Sequence, residues 1–124
     1  ARAALLTRAM AEIKRLGLKM GADERTFIGL SGCGDLILTC TGELSRHRMV
    51  GQKIGQGRKI NAILAETRTV AEAVKTAHSV YMLAKKMEVE MPICAAVYRV
   101  LYEDYDAKAV VKDLMTRALK SELY

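Results

Sequence analysis

Tryptophan is absent from this 124-residue sequence, Pro92 is its one proline, and aromatic residues make up only 5% of it. Because proline strongly interrupts helices, its scarcity leaves long stretches free to be helical. Alanine, leucine, methionine, lysine and glutamate are abundant, and all of them favour helices. A chain of this length can bury a core without metals or disulfides. The composition therefore predicts a single all-α domain spanning residues 1–124.

Cysteine and histidine are also scarce, with three and two residues respectively. Three cysteines cannot all pair within one chain, and Cys33, Cys40 and Cys94 form no C-x-x-C motif, so a reducing, cytoplasmic location is predicted. A zinc site would have to combine His47 or His78 with ligands distant in sequence. We therefore expect no metal.

Long apolar runs and targeting signals are missing as well. No apolar stretch approaches the roughly 18 residues of a membrane-spanning helix, and no signal peptide precedes the first helical pattern. That pattern begins at Ala1 without an initiator methionine, which is typical of an excised fragment. We expect a domain without a membrane span, taken from a longer protein.

The formal net charge is +6, a balance that favours nucleic acids, acidic membranes or small phosphorylated ligands. Lysine and arginine are nevertheless spread through every segment, and no block of five basic residues occurs. A basic helical module that binds nucleic acid needs a concentrated basic face, so the dispersed pattern argues against it. A structural dimerisation domain, suggested by alanine and methionine on helix faces, stays open as another alternative.

Apolar residues recur at intervals of three and four along most of the chain, which is typical of amphipathic helices. Asp23 and Asp106 precede two such patterns as N-caps, and Pro92 suits the first turn of a third. Thr69-x-x-Glu72 has the form of a capping box. We predict six to eight helices, with a core formed by the two long helices and the C-terminal pair. The predicted helical segments are 2–18, a short helix after Asp23, 36–38, one from Ser45 to about Gly55, 60–64, 69–87, 92–101 and 106–119.

Glycines are concentrated before Asp35, at positions 29, 32 and 34, where we expect them to loosen the backbone. Upstream, Phe27, Ile28 and Leu30 are expected to face inward. Neither these glycines nor those at 51, 55 and 57 form a dinucleotide fingerprint or a P-loop.

Hydroxyl side chains and the dipeptide Ser45-Arg46 follow Asp35, at a predicted helix start. Amide, hydroxyl and guanidinium groups can converge there on an oxyanion. In the alternative interpretation, Asp35 and Ser45 only cap helices and Arg46 is solvated. The residue pattern alone leaves both interpretations open.

The segment from Gly32 to Arg48 resembles the Gly-x-Gly-Asp-Leu-x-Leu-Thr-Cys-Thr...Ser-Arg-Asn-Arg signature of bacterial NAD(P)-dependent glycerol-3-phosphate dehydrogenases. The likeness continues in the runs that begin at Arg2, Val70, Glu90 and Val97, in family order, so it covers essentially the whole chain. The signature is matched at Gly32, Gly34, Asp35, Leu36, Leu38, Thr39, Cys40, Thr41, Ser45, Arg46 and Arg48.

This resemblance implies roles for particular residues. His47 stands where the family usually has asparagine, and Ala73 stands where it usually has glycine. Contact with sn-glycerol 3-phosphate or dihydroxyacetone phosphate is implied for Asp35, Thr39, Ser45, Arg46 and His47. Contact with the cofactor, NAD or NADP, is implied for Arg46, Val70 and Glu72.

The resemblance also implies a fold and an activity. The fold would be similar to the C-terminal domain of 6-phosphogluconate dehydrogenase-like enzymes, and the whole enzyme would transfer a hydride between NAD(P)H and dihydroxyacetone phosphate in glycerophospholipid precursor synthesis. Its acid/base lysine and its N-terminal Rossmann domain, which decides between NADH and NADPH, would lie upstream of this chain. We therefore expect no catalytic residue here, an inactive isolated fragment, a Rossmann domain as partner and a possible homodimer.

Overall fold

The computed structural model describes residues 2–41, 46–58 and 68–116. Within these ranges the chain is helical without strands, as predicted, and the number of α-helices falls within the predicted six to eight. The described α-helices are α1 (Arg2–Lys19), α2 (Glu24–Ile28), α3 (Asp35–Thr41), α4 (Arg46–Gly55), α5 (Arg68–Lys86), α6 (Pro92–Tyr102) and α7 (Ala107–Met115), and a π-helical segment (Leu30–Gly34) joins α2 to α3.

Helix α1 ends where its glycines predicted. Gly21 has a φ of +92°, a left-handed conformation that glycine adopts without steric penalty. Its N–H donates to the Leu18 carbonyl at 3.0 Å, and the Ala22 N–H donates to the Gly17 carbonyl at 2.9 Å. These two bonds form a Schellman motif, which satisfies carbonyls that the helix end would otherwise leave unpaired.

Several helix starts also agree with the sequence. The Asp23 carboxylate accepts a hydrogen bond from the Arg25 N–H at 2.9 Å, and the Asp106 carboxylate accepts one from the Ala109 N–H at 3.3 Å. Pro92 occupies the first turn of α6. The predicted N-caps and the proline position are therefore confirmed.

Other boundary predictions differ from the structure. Because α5 already includes Arg68, Thr69 lies inside the helix and is not the cap of a capping box. Helix α7 ends at Met115, and Leu119, the predicted end of this helix, lies outside the described residues. The predicted helix at 60–64 and the predicted cap Ser45 also lie outside them.

The inward orientation predicted near the short helix holds for only one residue. Phe27 is half-buried, whereas Ile28 is 70% and Leu30 is 89% exposed. Helix α2 has only five residues, little more than one turn, so it cannot bury a continuous apolar stripe. The prediction for Ile28 is wrong for this reason. The prediction for Leu30 is also wrong, because Leu30 lies beyond α2 in the π-helical segment, where no residue is buried.

The core lies where α1, α5 and α6 meet. Its buried apolar residues are small or flexible, which lets the helix backbones approach closely: Ala11, Ala84, Met91 and Ala96. Helix α6 contacts α1, α5 and α7, but no residue of α7 is buried. The predicted core is therefore confirmed for the two long helices and α6, while α7 packs at the edge.

A charged residue lies inside this core. Glu12 is only 2% exposed, and its carboxylate accepts hydrogen bonds from the backbone N–H groups of Ile93 and, at 3.1 Å, Cys94. These N–H groups belong to the first turn of α6, and Met91, the residue that precedes this helix, offers no side-chain cap. Glu12 therefore caps α6 from a different helix, where its negative charge also faces the positive end of the helix dipole.

Tyrosines hold the outer side of the α5–α6 pair. Tyr81 of α5 stacks on Tyr98 of α6 with ring centroids 3.9 Å apart, and Tyr98 stacks on Tyr102 at 5.1 Å. The Tyr102 hydroxyl donates to the Val74 carbonyl at 2.8 Å, and Lys85 Nζ lies 4.5 Å from the Tyr81 ring centroid. Stacking and cation–π contacts thus join the helices on a face where few residues are buried.

No helix in the described ranges is long and apolar enough to span a membrane.

We predict that Glu12→Ala lowers the free energy of unfolding of the chain by about 2 to 4 kcal/mol, because it leaves two part-buried N–H groups without their acceptor and opens a void. Denaturant unfolding followed by circular dichroism measures this change. Glu24→Ala is the matched control, since Glu24 makes only a half-exposed ion pair with Lys14 at 3.3 Å and its loss should cost less than about 1 kcal/mol. Equal losses in the two variants would contradict a capping role for Glu12.

The same carboxylate predicts a dependence of stability on pH. Burial raises the pKa of Glu12 above its ordinary value of 4.5, although the Ile93 and Cys94 hydrogen bonds and the charge of Arg15 oppose the rise. The folded chain then holds this proton more tightly than the unfolded chain, so the stability it contributes is complete below pH 4.5 and is lost as pH rises through the raised pKa.

Glu12→Gln removes this titration. Relative to Glu12→Gln, the original chain should therefore be more stable at about pH 4 than at about pH 7, as measured by unfolding free energies across that range. A difference between the two proteins that stays constant with pH would contradict the raised pKa.

Candidate functional site

The predicted site residues lie on three helices that contact one another in sequence order. Helix α3 contacts α4, and α4 contacts α5. Asp35 is the first residue of α3, Arg46 is the first residue of α4, and Glu72 lies in the second turn of α5. The candidate residues are thus carried by neighbouring helices. Of the other predicted residues, Thr39 lies on α3, His47 on α4 and Val70 on α5, while Ser45 lies outside the described residues.

Asp35 does not cap its helix. Its backbone is α-helical, with φ −64° and ψ −42°, whereas an N-cap residue adopts an extended backbone. Its N–H donates to the carbonyls of Leu30 and Gly32, because the π-helical segment continues directly into α3. The side chain is exposed. The interpretation of Asp35 as a simple cap is therefore wrong, and its carboxylate is available to a ligand.

One of the glycines before Asp35 allows a close approach of the backbone. A Cβ added at Gly32 would lie 2.6 Å from the Phe27 Cα and 2.7 Å from the Phe27 carbonyl carbon, closer than real Cβ contacts. A Cβ added at Gly17 would lie 2.8 Å from Phe27 Cε2 and would overlap Cζ of the same ring. Gly32 is thus required by the Phe27 backbone, whereas the contact at Gly17 is with a side chain. The expectation of a loose backbone is therefore wrong at Gly32, while a Cβ at Gly29 would meet no atom within 4 Å.

Glu72 is exposed on α5. As the fifth residue of that helix it is not the partner of an N-cap, and its carbonyl accepts a hydrogen bond from the Thr76 hydroxyl at 3.1 Å. An exposed carboxylate accepts hydrogen bonds from hydroxyl and amide groups and repels phosphates. Glu72 therefore suits a ribose hydroxyl or a carboxamide better than a pyrophosphate.

A cleft that the sequence did not predict lies between α1, α2 and α3. Its volume is about 490 Å³, and its lining includes Met10, Phe27, Cys33 and Leu36. These residues flank the π-helical segment, but Asp35 does not line the cleft. Only the apolar periodicity of α1 could have indicated this cleft, because its walls come from separate helices.

The cysteines form no disulfide, and one of them has an unreactive thiol. Burial, together with the neighbouring Glu12 carboxylate, raises the pKa of Cys94 to about 12. A thiol with such a pKa carries almost no thiolate near neutral pH, and the thiolate is the nucleophile. Cys94 is therefore a poor candidate for a nucleophile. Among the residues whose side chains are described, no three histidine, cysteine or acidic groups lie together as metal ligands.

Comparison with known proteins first identifies the class of this domain. A crystal structure of glycerol-3-phosphate dehydrogenase from Coxiella burnetii matches it with a TM-score of 0.89 at 38% sequence identity, over 94% of this chain and 36% of that one. The all-α fold is therefore that of a helical domain from a dehydrogenase, as the resemblance implied.

Sequence comparisons then give the family. The model for the C-terminus of NAD-dependent glycerol-3-phosphate dehydrogenase matches residues 1–112. The chain belongs to this family. It is 63% identical over 122 residues to the glycerol-3-phosphate dehydrogenase (NAD(P)+) of Syntrophobacter fumaroxidans and 60% identical over 121 residues to that of Geobacter sulfurreducens. In both cases 98% of this chain is covered but only 36% of the relative. The chain thus spans about a third of the length of these relatives, and the nucleic-acid alternative gains no support from them.

We predict that Cys94 is alkylated far more slowly than an ordinary cysteine in the folded chain, because about one thiol in ten thousand is ionised near pH 8 when its pKa is about 12. A Cys33→Ser, Cys40→Ser variant isolates this thiol, and its reaction with iodoacetamide is followed by mass spectrometry. The same variant in denaturant is the control and should react at the rate of a free thiol. Equal rates in the folded and denatured chain would contradict the raised pKa.

Proposed function

We propose that this chain is the C-terminal substrate-binding domain of an enzyme that transfers a hydride between NAD(P)H and dihydroxyacetone phosphate, forming sn-glycerol 3-phosphate for glycerophospholipid synthesis. Family membership supports the proposal, because relatives with about 60% identity carry the name of this dehydrogenase. In this proposal the remaining two thirds of the enzyme supply an N-terminal Rossmann domain and the acid/base lysine.

The observation that carries the proposal is the position of the candidate residues at the N-terminal ends of α4 and α5. Helix α4 has 10 residues and begins at Arg46, and α5 has 19 residues and carries Glu72 in its second turn. Unpaired N–H groups and the helix dipole make such ends attractive to anions. The substrate phosphate carries the charge that α4 and its first residue are suited to bind.

Phosphate and hydroxyl groups of the substrate call for different partners. A guanidinium binds a phosphate through two parallel charge-assisted hydrogen bonds, and we assign this role to Arg46, with Ser45 and His47 beside it in sequence. A carboxylate accepts hydrogen bonds from hydroxyls, and we assign the glycerol hydroxyls to the exposed Asp35, with Thr39 one helical turn further along α3. This division orients the carbonyl carbon relative to the cofactor.

The cofactor contacts follow from the same chemistry. Bound NAD or NADP supplies the hydride chemistry, which no side chain can provide. Because the exposed Glu72 carboxylate would repel a pyrophosphate, we assign it to hydroxyl or carboxamide groups of the cofactor. Val70 lies two residues before Glu72 at the same end of α5, and we assign it to the cofactor as well. Arg46 bridges the two ligands in this assignment. The residues of this chain thus bind and orient, and proton transfer is left to the lysine upstream.

The location and assembly of the enzyme are part of the proposal. Three unbridged cysteines fit a reducing compartment, and we propose the cytoplasm. Exposed apolar residues on α3, such as Leu38 at 70%, favour coverage by the Rossmann domain or by a second copy in a homodimer.

We predict that Arg46→Ala in the full-length enzyme lowers kcat/KM for dihydroxyacetone phosphate by about ten- to more than a hundredfold, because a charge-assisted hydrogen bond contributes roughly 1.5 to 3 kcal/mol. Arg46→Lys should recover only part of the loss, since lysine keeps the charge without the planar pair of donors. Steady-state kinetics with both substrates measures these changes.

Two controls separate this role from others. Dihydroxyacetone without its phosphate should be affected much less by Arg46→Ala, because it never makes the contact. Glu72→Gln should raise KM for NAD(P)H and leave KM for dihydroxyacetone phosphate within about twofold. Equal losses for the phosphorylated and unphosphorylated substrates would require the phosphate assignment to be withdrawn.

A further inference from the structure

The π-helical segment Leu30–Gly34 determines the direction in which Asp35 faces. The Asp35 N–H donates to the Leu30 carbonyl and the Gly34 N–H to the Gly29 carbonyl at 3.2 Å, the spacing of a π-helix. A π turn takes up about one residue more than an α turn, and each residue of an α-helix advances by about 100°. An α-helical path through the same residues would therefore turn the Asp35 side chain away from its present direction.

The segment can follow this path because position 32 is glycine. Any side chain at position 32 would collide with the Phe27 backbone, since the Cβ would lie 2.6 Å from the Phe27 Cα. The Phe27 backbone cannot rotate away from this contact as a flexible side chain would. Its ring is in turn packed against α1 at Gly17. The contacts thus link α1, Phe27, Gly32 and Asp35 in one continuous series.

We propose that Gly32 is a positioning residue for substrate binding, which acts through the backbone contact with Phe27 and the π-helical segment to orient the Asp35 carboxylate. This inference rests on the proposed function, because it requires Asp35 to contact the substrate. Gly32 itself touches no ligand in this proposal.

The principal test compares three glycine-to-alanine variants of the full-length enzyme. Gly32→Ala forces the backbone around position 32 apart by on the order of 1 Å, and a misplacement of this size lowers a rate by up to about a hundredfold. We expect kcat/KM for dihydroxyacetone phosphate to fall at least about tenfold while KM for NAD(P)H stays within about twofold. Each variant is measured at a temperature at which circular dichroism shows it fully folded.

Two of the variants serve as controls. Gly17→Ala crowds the Phe27 ring, which can rotate without moving its backbone, so the melting temperature should fall while kcat/KM stays within about twofold. Gly29→Ala meets no atom within 4 Å and should change neither quantity. If Gly17→Ala and Gly32→Ala lose kcat/KM equally, the contact is merely structural and the proposal is overturned.

A shortened segment keeps the proposal testable if Gly32→Ala does not fold. Deletion of the exposed Ser31 removes the additional residue of the π-helical segment, so the chain should follow an α-helical path into Asp35 and kcat/KM should fall at least about tenfold. Gly34→Ala is the control, because its Cβ would lie 3.3 Å from Cδ2 of Leu30, whose side chain is 89% exposed and can rotate away, so kcat/KM should stay within about twofold. An unchanged kcat/KM in the folded deletion variant would contradict the proposal.

Asp35→Asn distinguishes failure of this inference from failure of the proposed function. If Asp35→Asn leaves kcat/KM for dihydroxyacetone phosphate unchanged, Asp35 does not contact the substrate and both proposals lose their basis at this residue. If Asp35→Asn lowers kcat/KM while folded Gly32→Ala does not, the substrate assignment stands and the positioning role of Gly32 is rejected. A parallel loss in both variants supports both.

Discussion

The fold depends on one buried carboxylate, that of Glu12, which caps a helix 81 residues further along the chain. The Glu12 carboxylate accepts hydrogen bonds from two N–H groups in the first turn of α6. Arg15, which follows Glu12 on α1, donates a hydrogen bond to the carbonyl of Glu90, just before α6 begins. A buried carboxylate is unfavourable unless hydrogen bonds compensate its lost hydration. Glu12 satisfies this condition only when α6 starts at one particular place against α1, so the interaction specifies how these helices are joined.

The packing around Glu12 explains the composition of the core. Alanines at positions 11, 84 and 96 let the helix backbones come close enough for hydrogen bonds between helices. The adjoining thiol of Cys94 stays protonated because burial and the Glu12 charge both oppose ionisation. On the outer face, stacked tyrosines hold α5 against α6. A core with few bulky residues is therefore reinforced by polar and aromatic contacts around it.

The candidate site is connected to the same helix, α1, through Phe27. Helix α1 holds Phe27 at Gly17, Phe27 holds the π-helical segment at Gly32, and that segment leads into Asp35. In the proposed function, the N-terminus of α4 and Arg46 bind the substrate phosphate, while the Asp35 and Glu72 carboxylates bind hydroxyl or carboxamide groups. This proposal is consistent with dispersed basic residues, since a small anion needs one local cation and no extended basic face.

Local chemistry explains which features were predictable from the sequence. Apolar periodicity indicated the helices. Asp23 and Asp106 indicated two helix starts, Pro92 indicated a first turn, and Gly21 indicated a helix end. Each of these signals depends on neighbours within about one turn. The signature around Asp35 indicated the family, which the comparisons confirm over residues 1–112. It did not reveal the conformation of the segment, and the glycines there allow several paths equally well.

Only the tertiary structure decided the features that join distant segments. The capping role of Glu12 requires α1 and α6 to be in contact, and no periodicity distinguishes a buried glutamate from a solvated one. The exposure of Ile28 depends on the shortness of α2, and the need for glycine at position 32 depends on the Phe27 backbone beside it. The sequence by itself determined the helices and the family, because both are recorded in local patterns. The structure determined which N–H groups Glu12 satisfies and why position 32 requires glycine, because these depend on the packing of one segment against another.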